Sequence, residues 1–190
     1  MATISKTPSG SYRGVFTSQP IDSLVDAINN MTGNGTPQSI TPSAIVGPAP
    51  TAVGATSTVT AAKAGNIFLL GTAAGSVATL PAATGTGNVY KFIVSTTATS
   101  NAHKILTAPI TDVLVGRATG AIAAGTTLQF SAVTADGFHS IQMPFAGTQP
   151  SGGFEGDYFE FTDFASGKWE VVGVYKAGTT ATTPFSTATT

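Results

Sequence analysis

Residues 157–175 read Asp-Tyr-Phe-Glu-Phe-Thr-Asp-Phe-Ala-Ser-Gly-Lys-Trp-Glu-Val-Val-Gly-Val-Tyr, and their pattern decides the fold. Phe159 and Phe161 alternate with Glu160 and Thr162 before Ala165-Ser166-Gly167. Beyond that break Trp169, Val171 and Val172 supply the apolar positions of a second run. Alternation at period two on both sides of a short Gly-containing break predicts a β-hairpin, with strands over Asp157–Phe164 and Lys168–Tyr175.

Working outward, the same grammar recurs. Short strands are predicted at Thr58–Thr60, Asn66–Leu70, Val77–Leu80, Val89–Ser95, Lys104–Leu106, Asp112–Val115, Thr127–Val133 and Phe138–Met143, separated by Gly or Pro. Short strands at fairly even spacing indicate an all-β body, a β-sandwich or jelly-roll-like fold. That body is expected over residues 58–177. Residues 178–190 return to Thr and Ala and read as a tail, with Pro184-Phe185 as an anchor.

The N-terminal third reads differently. Residues 1–19 form an extended arm, broken by Pro8, Gly10 and Gly14, with Tyr12, Val15 and Phe16 as apolar anchors. One short helix is predicted over 20–31. Pro20 suits its first turn and Ile21, Leu24, Val25 and Ile28 make a single apolar stripe. Gly33 ends it, and a helix of this length needs a surface to pack on. From Asn34 to Ser57 the composition is Pro, Thr, Ser, Gly and Ala, which reads as a linker. Arm, helix and linker make up residues 1–57.

Composition narrows the function. Only 9% of the 190 residues are charged, eight basic against nine acidic, and the basic ones stand singly. A phosphate backbone needs clustered Lys and Arg, so nucleic acid is not an expected partner. No cysteine is present, which excludes a disulfide framework and a thiolate metal site. No apolar stretch approaches a membrane span, and Met1–Gly10 lacks the apolar core of a signal peptide. A soluble protein made in the cytoplasm, with no membrane partner, is expected.

The chemistry-bearing residues are few. Gly85-Thr86-Gly87 fails the dinucleotide fingerprint, because Tyr90 stands where the third glycine belongs and a strand follows, so a β-turn is the better reading. His103 and His139 have no neighbouring ligand types and read as loop or strand-edge residues. A Ser-rich chain contains the parts of a Ser-His-Asp triad, but no local signature favours one. Glu155, Asp157, Glu160 and Asp163 are the acidic cluster. Asp157 and Asp163 share one strand face and Glu160 takes the other, which reads as a solvated strand with an inter-subunit ion pair; Asp157 and Asp163 are the place to look for a cation. Tyr158, Phe159, Phe161, Phe164 and Trp169 are mostly packing residues, with one or two left for an interface or for stacking on a sugar. No catalytic residue, cofactor or metal site is assigned.

Three stretches carry a resemblance. They are Gly65-Asn66-Ile67-Phe68-Leu69-Leu70, the run Val77 to Gly87 with Tyr90-Lys91-Phe92-Ile93-Val94, and Gly156 to Asp163 with Gly167-Lys168-Trp169 and Thr183-Pro184-Phe185-Ser186. Over residues 58–187 the chain resembles the head decoration, or cement, proteins of tailed bacteriophages; similar stretches occur in tail-fibre proteins. The resemblance implies a virion structural protein on the outer surface of the capsid, a homotrimer bound across neighbouring subunits of the major capsid protein. Tyr12, Val15, Phe16, Ile21, Leu24, Val25 and Ile28 are the expected docking residues. The alternative is a tail-fibre or glycan-binding structural module, with the aromatics near Tyr158 and Trp169 as its site.

Overall fold

The computed structural model describes residues 5–6, 12–13, 48–122, 124–144 and 151–188. The chain divides into two compact units, Met1–Gly47 and Pro48–Thr190. In the first unit β1 (Ser5–Lys6) pairs antiparallel with β2 (Tyr12–Arg13), so the segment read as a plain extended arm carries a short ladder. Tyr12 is in β2. Val15, Phe16, Ile21, Leu24, Val25 and Ile28, with the whole predicted helix, lie outside the described residues.

The second unit is the expected all-β sandwich. Among its described residues the strands are β3 (Thr51–Val53), β4 (Thr56–Thr58), β5 (Ile67–Leu70), β6 (Val77–Thr79), β7 (Val89–Val94), β8 (His103–Leu106), β9 (Val113–Ile122), β10 (Thr127–Ala132), β11 (Ser140–Met143), β12 (Tyr158–Ala165), β13 (Lys168–Ala177) and β14 (Phe185–Ser186). They form a seven-stranded sheet, β10-β9-β13-β12-β7-β5-β3, and a five-stranded sheet, β14-β11-β8-β6-β4.

From β3 to β8 successive strands fall alternately in the two sheets, so β3, β5 and β7 run parallel in one and β4, β6 and β8 in the other. The chain thus winds three times around the same core before the longer antiparallel strands follow. This winding begins earlier than the composition indicated. Thr51–Val53 is a strand inside the segment read as linker, Thr56–Thr58 starts two residues ahead of the strand predicted at Thr58–Thr60, and Val53 is buried. Small β-branched residues suffice there because each short strand adds to an edge that already exists.

The predicted hairpin of β12 and β13 is present, with a register shift between Asp163 and Ala165 and Gly167 at a φ of 71° in the turn. Alternation puts Phe159, Phe161, Trp169, Val171 and Tyr175 inward. There they meet Tyr90 and Phe92 of β7 and Phe68 of β5. Tyr90 packs edge-on to Trp169 and Phe92 edge-on to Phe161, both at 5.6 Å between ring centroids. Edge-to-face pairs of this kind add about 0.5–1.5 kcal/mol each beyond the area they bury. The five-stranded sheet closes the core with Ile105, Ile141 and Met143, and with Phe185 of the C-terminal segment, the anchor expected beside Pro184.

Candidate functional site

The acidic residues do not form a solvated cluster. Asp157 and Asp163 do share a face of β12, but it is the face that carries Phe159 and Phe161, so both carboxylates are buried. A buried carboxylate must be hydrogen-bonded, and each ties down a loop. Asp163 accepts from the backbone N–H groups of Thr84 (2.9 Å), Gly85 (2.6 Å) and Thr86 (3.3 Å), and from the hydroxyls of Thr84 (3.1 Å) and Thr86 (2.7 Å). The glycine loop is therefore an anion nest, and the anion is the chain's own side chain. Asp112 takes the N–H of the adjoining Ala83 at 2.6 Å. Asp157 accepts from Gly153 (2.8 Å), Phe154 (3.0 Å) and Lys176 (2.8 Å).

Electrostatics separates the two ends of β12. At Asp163 burial works to raise the pKa, but the Thr86 hydroxyl and the N–H groups of Gly85, Thr84 and Thr86 outweigh it and hold the carboxyl below its usual value. At Asp157 burial wins and pushes the carboxyl up to about 6, against the N–H groups of Lys176, Phe154 and Gly153 and the Lys176 charge. Oxygens that face N–H donors offer a cation a poor seat. Among the described residues no three of His, Cys, Asp and Glu converge to hold a metal ion. Asp157 and Asp163, read as part of a solvated strand and as the place to look for a cation, are instead two buried structural latches.

His103 is not at a strand edge but fully buried in β8. Its Nδ1 accepts the N–H of Ser76 at 3.0 Å, which leaves the proton on Nε2, 2.9 Å from the Thr96 carbonyl. Burial lowers its pKa below the ordinary histidine value, so this ring is a neutral core tie. His139 Nδ1 meets the Asp112 carbonyl at 3.0 Å. The described hydrogen bonds of both rings thus go to main-chain groups, an arrangement for holding strands together.

The aromatic set splits as packing requires. Trp169, Phe159 and Phe161 are core residues, which removes Trp169 from any surface platform. Tyr158 is half-buried under the Lys91 ammonium, 4.7 Å from its ring centroid, and Phe164 is 47% exposed.

What remains for a partner is the outer face of the seven-stranded sheet. The registers align Leu69, Ile93, Tyr158, Val174 and Thr119 in one row across five strands, and Ile67, Lys91, Glu160, Val172 and Arg117 in the next. Val172 and Val174 are exposed to 40% and 41% and Ile67 to 37%. The first row has no charged residue, and the second sets Lys91, Glu160 and Arg117 among the aliphatic Ile67 and Val172. In the sequence this face is hidden inside the apolar run Val171-Val172-Gly173-Val174, where only strand parity tells core from surface.

No family model matches this chain, and no curated protein or solved structure matches it either.

Proposed function

We propose that the chain is a virion structural protein that decorates and stabilises a capsid, as a trimer bound across neighbouring subunits of the major capsid protein. One observation carries the reading that this is a building part and not a catalyst. The buried carboxylates Asp112, Asp157 and Asp163 and both histidines are engaged in fastening loops and strands, while an uncharged row of side chains crosses the open face of the larger sheet. The sequence resemblance of residues 58–187 supplies the capsid. Each aliphatic side chain moved from water into a contact contributes up to about 1.5–3 kcal/mol, so a few per copy, repeated over a shell, stabilise the whole.

The experiment is a cryo-electron-microscopy map of virions that carry the protein. Density on the head at three-fold or quasi-three-fold positions supports the proposal. Density confined to the tail replaces it with a fibre module, and absence from the particle overturns it.

A further inference from the structure

The outer face of the larger sheet is interrupted by a groove. Strand β10 ends at Ala132, paired with Gly116 of β9, and the chain then turns away through a short 3-10 helix at Thr134–Asp136. The departure leaves a cleft of about 630 Å³ over β9, between the end of β10 and β13, bordered by Arg117, Gln129, Ser131 and Glu170. Gly116 forms part of its floor. It has a φ of 145°, and a Cβ there would overlap the Val171 carbonyl, so the position admits only glycine. A second cavity of about 270 Å³ adjoins it, sharing Val115, Gly116 and Glu170, and its far wall is Phe164.

Phe164 is there for a local reason. It continues the outward positions Tyr158, Glu160 and Thr162 of β12, opposite to Phe159, Phe161 and Asp163, and stands beside the register shift between Asp163 and Ala165. The aromatic ring is therefore outside the core, 47% exposed, at one end of the groove. From Phe164 the groove crosses β13 and β9 to β10, a span of roughly 14 Å at ordinary strand spacing.

We propose that this groove binds a neutral oligosaccharide. An exposed aromatic ring offers a flat apolar surface to the C–H face of a sugar. The borders supply one carboxylate, one guanidinium, one amide and one hydroxyl, which between them donate to and accept from sugar hydroxyls. One acid against one base gives no net charge, which disfavours phosphate-bearing and strongly acidic ligands. The inference is independent of the capsid proposal: the particle map tests one and sugar binding the other.

The test is retention of the full-length protein on a microarray of neutral and acidic oligosaccharides, then isothermal titration with the best-retained probe. Neutral oligosaccharides are expected to be retained. Phe164→Ala is expected to weaken binding by about tenfold or more, as loss of an aromatic anchor does, and Glu170→Gln to weaken it too. Ile110→Ser, at an exposed loop residue outside the groove, is expected to bind as the parent does. Unchanged emission from the buried Trp169 verifies that each variant is folded. Retention of no sugar, retention of acidic sugars only, or undiminished binding by Phe164→Ala overturns the proposal.

Discussion

The Thr86 hydroxyl donates to the Asp163 carboxylate at 2.7 Å, one of five contacts by which a loop wraps a buried charge. Asp163→Ala strips five donors of their acceptor. Because Thr84, Gly85 and Thr86 are themselves exposed, water can replace part of what is lost. We expect a cost of about 2–3 kcal/mol, read as a lower urea midpoint by Trp169 fluorescence. The folded pKa lies below the ordinary 3.8, so the stabilisation is present above that pH and lost as pH falls through the folded value. Asp163→Asn is expected to flatten that acid limb.

Asp157 has the opposite sign. Its carboxyl is raised from 3.8 to about 6, so its contribution is complete below pH 3.8 and is lost as pH rises through about 6. His103 acts with the opposite sign. With a pKa below the usual 6.5, it favours the fold above pH 6.5 and loses that contribution as pH falls. Comparison of Asp157→Asn with the parent isolates the aspartate. The Tm of the variant minus that of the parent is expected to increase from pH 4 to pH 7 in thermal melts; a constant difference would contradict the assignment.

Phe159 lies directly opposite Gly173 in the β12–β13 register, and a Cβ on Gly173 would overlap its ring. Phe159 is almost wholly buried and has little room to retreat. Gly173→Ala is expected to destabilise the protein by about 1–3 kcal/mol, the usual cost of overpacking. Phe159→Leu in the same chain should recover part of that loss in a double-mutant cycle.

The outer row and the N-terminal unit can be told apart by two variants. Val174→Lys changes an exposed side chain and is expected to alter stability by no more than about 0.5 kcal/mol. Under the proposed function it should also weaken particle binding in a co-sedimentation assay. Deletion of residues 1–47 removes one compact unit and leaves the other, 48–190, which is expected to melt cooperatively but no longer to bind capsids. Undiminished binding by the deletion would remove Tyr12, Val15 and Phe16, and the predicted stripe from Ile21 to Ile28, from the docking role.

Much of the fold is legible locally. Nearly every strand of the sandwich stands within a few residues of where alternation and Gly or Pro punctuation put it, because a half-buried strand must repeat at period two. The strands that escaped notice, Thr51–Val53 and Phe185–Ser186, are three and two residues long, and Thr56–Thr58 stands two residues ahead of the strand predicted at Thr58–Thr60. At that length no periodicity exists to detect, and only the neighbouring edge makes them strands. The acidic residues show a different limit. Their shared face was readable from parity, and Phe159 and Phe161 mark it as the core side; what no local pattern carries is the loop donors, such as Thr84, Gly85 and Gly153, that let a carboxylate be buried there.

The sequence by itself determined the all-β class, the β12–β13 hairpin and the scarcity of reactive chemistry, since these follow from period, turn residues and composition. Tertiary structure alone decided that β3 to β8 wind between two sheets, that Asp163 fills the glycine loop and that Phe164 stands over an open groove. Those features join residues as far as 79 positions apart, as Thr84 and Asp163 are. Their energies are those of burial and pairing, and neither exists until the two sheets close on one core.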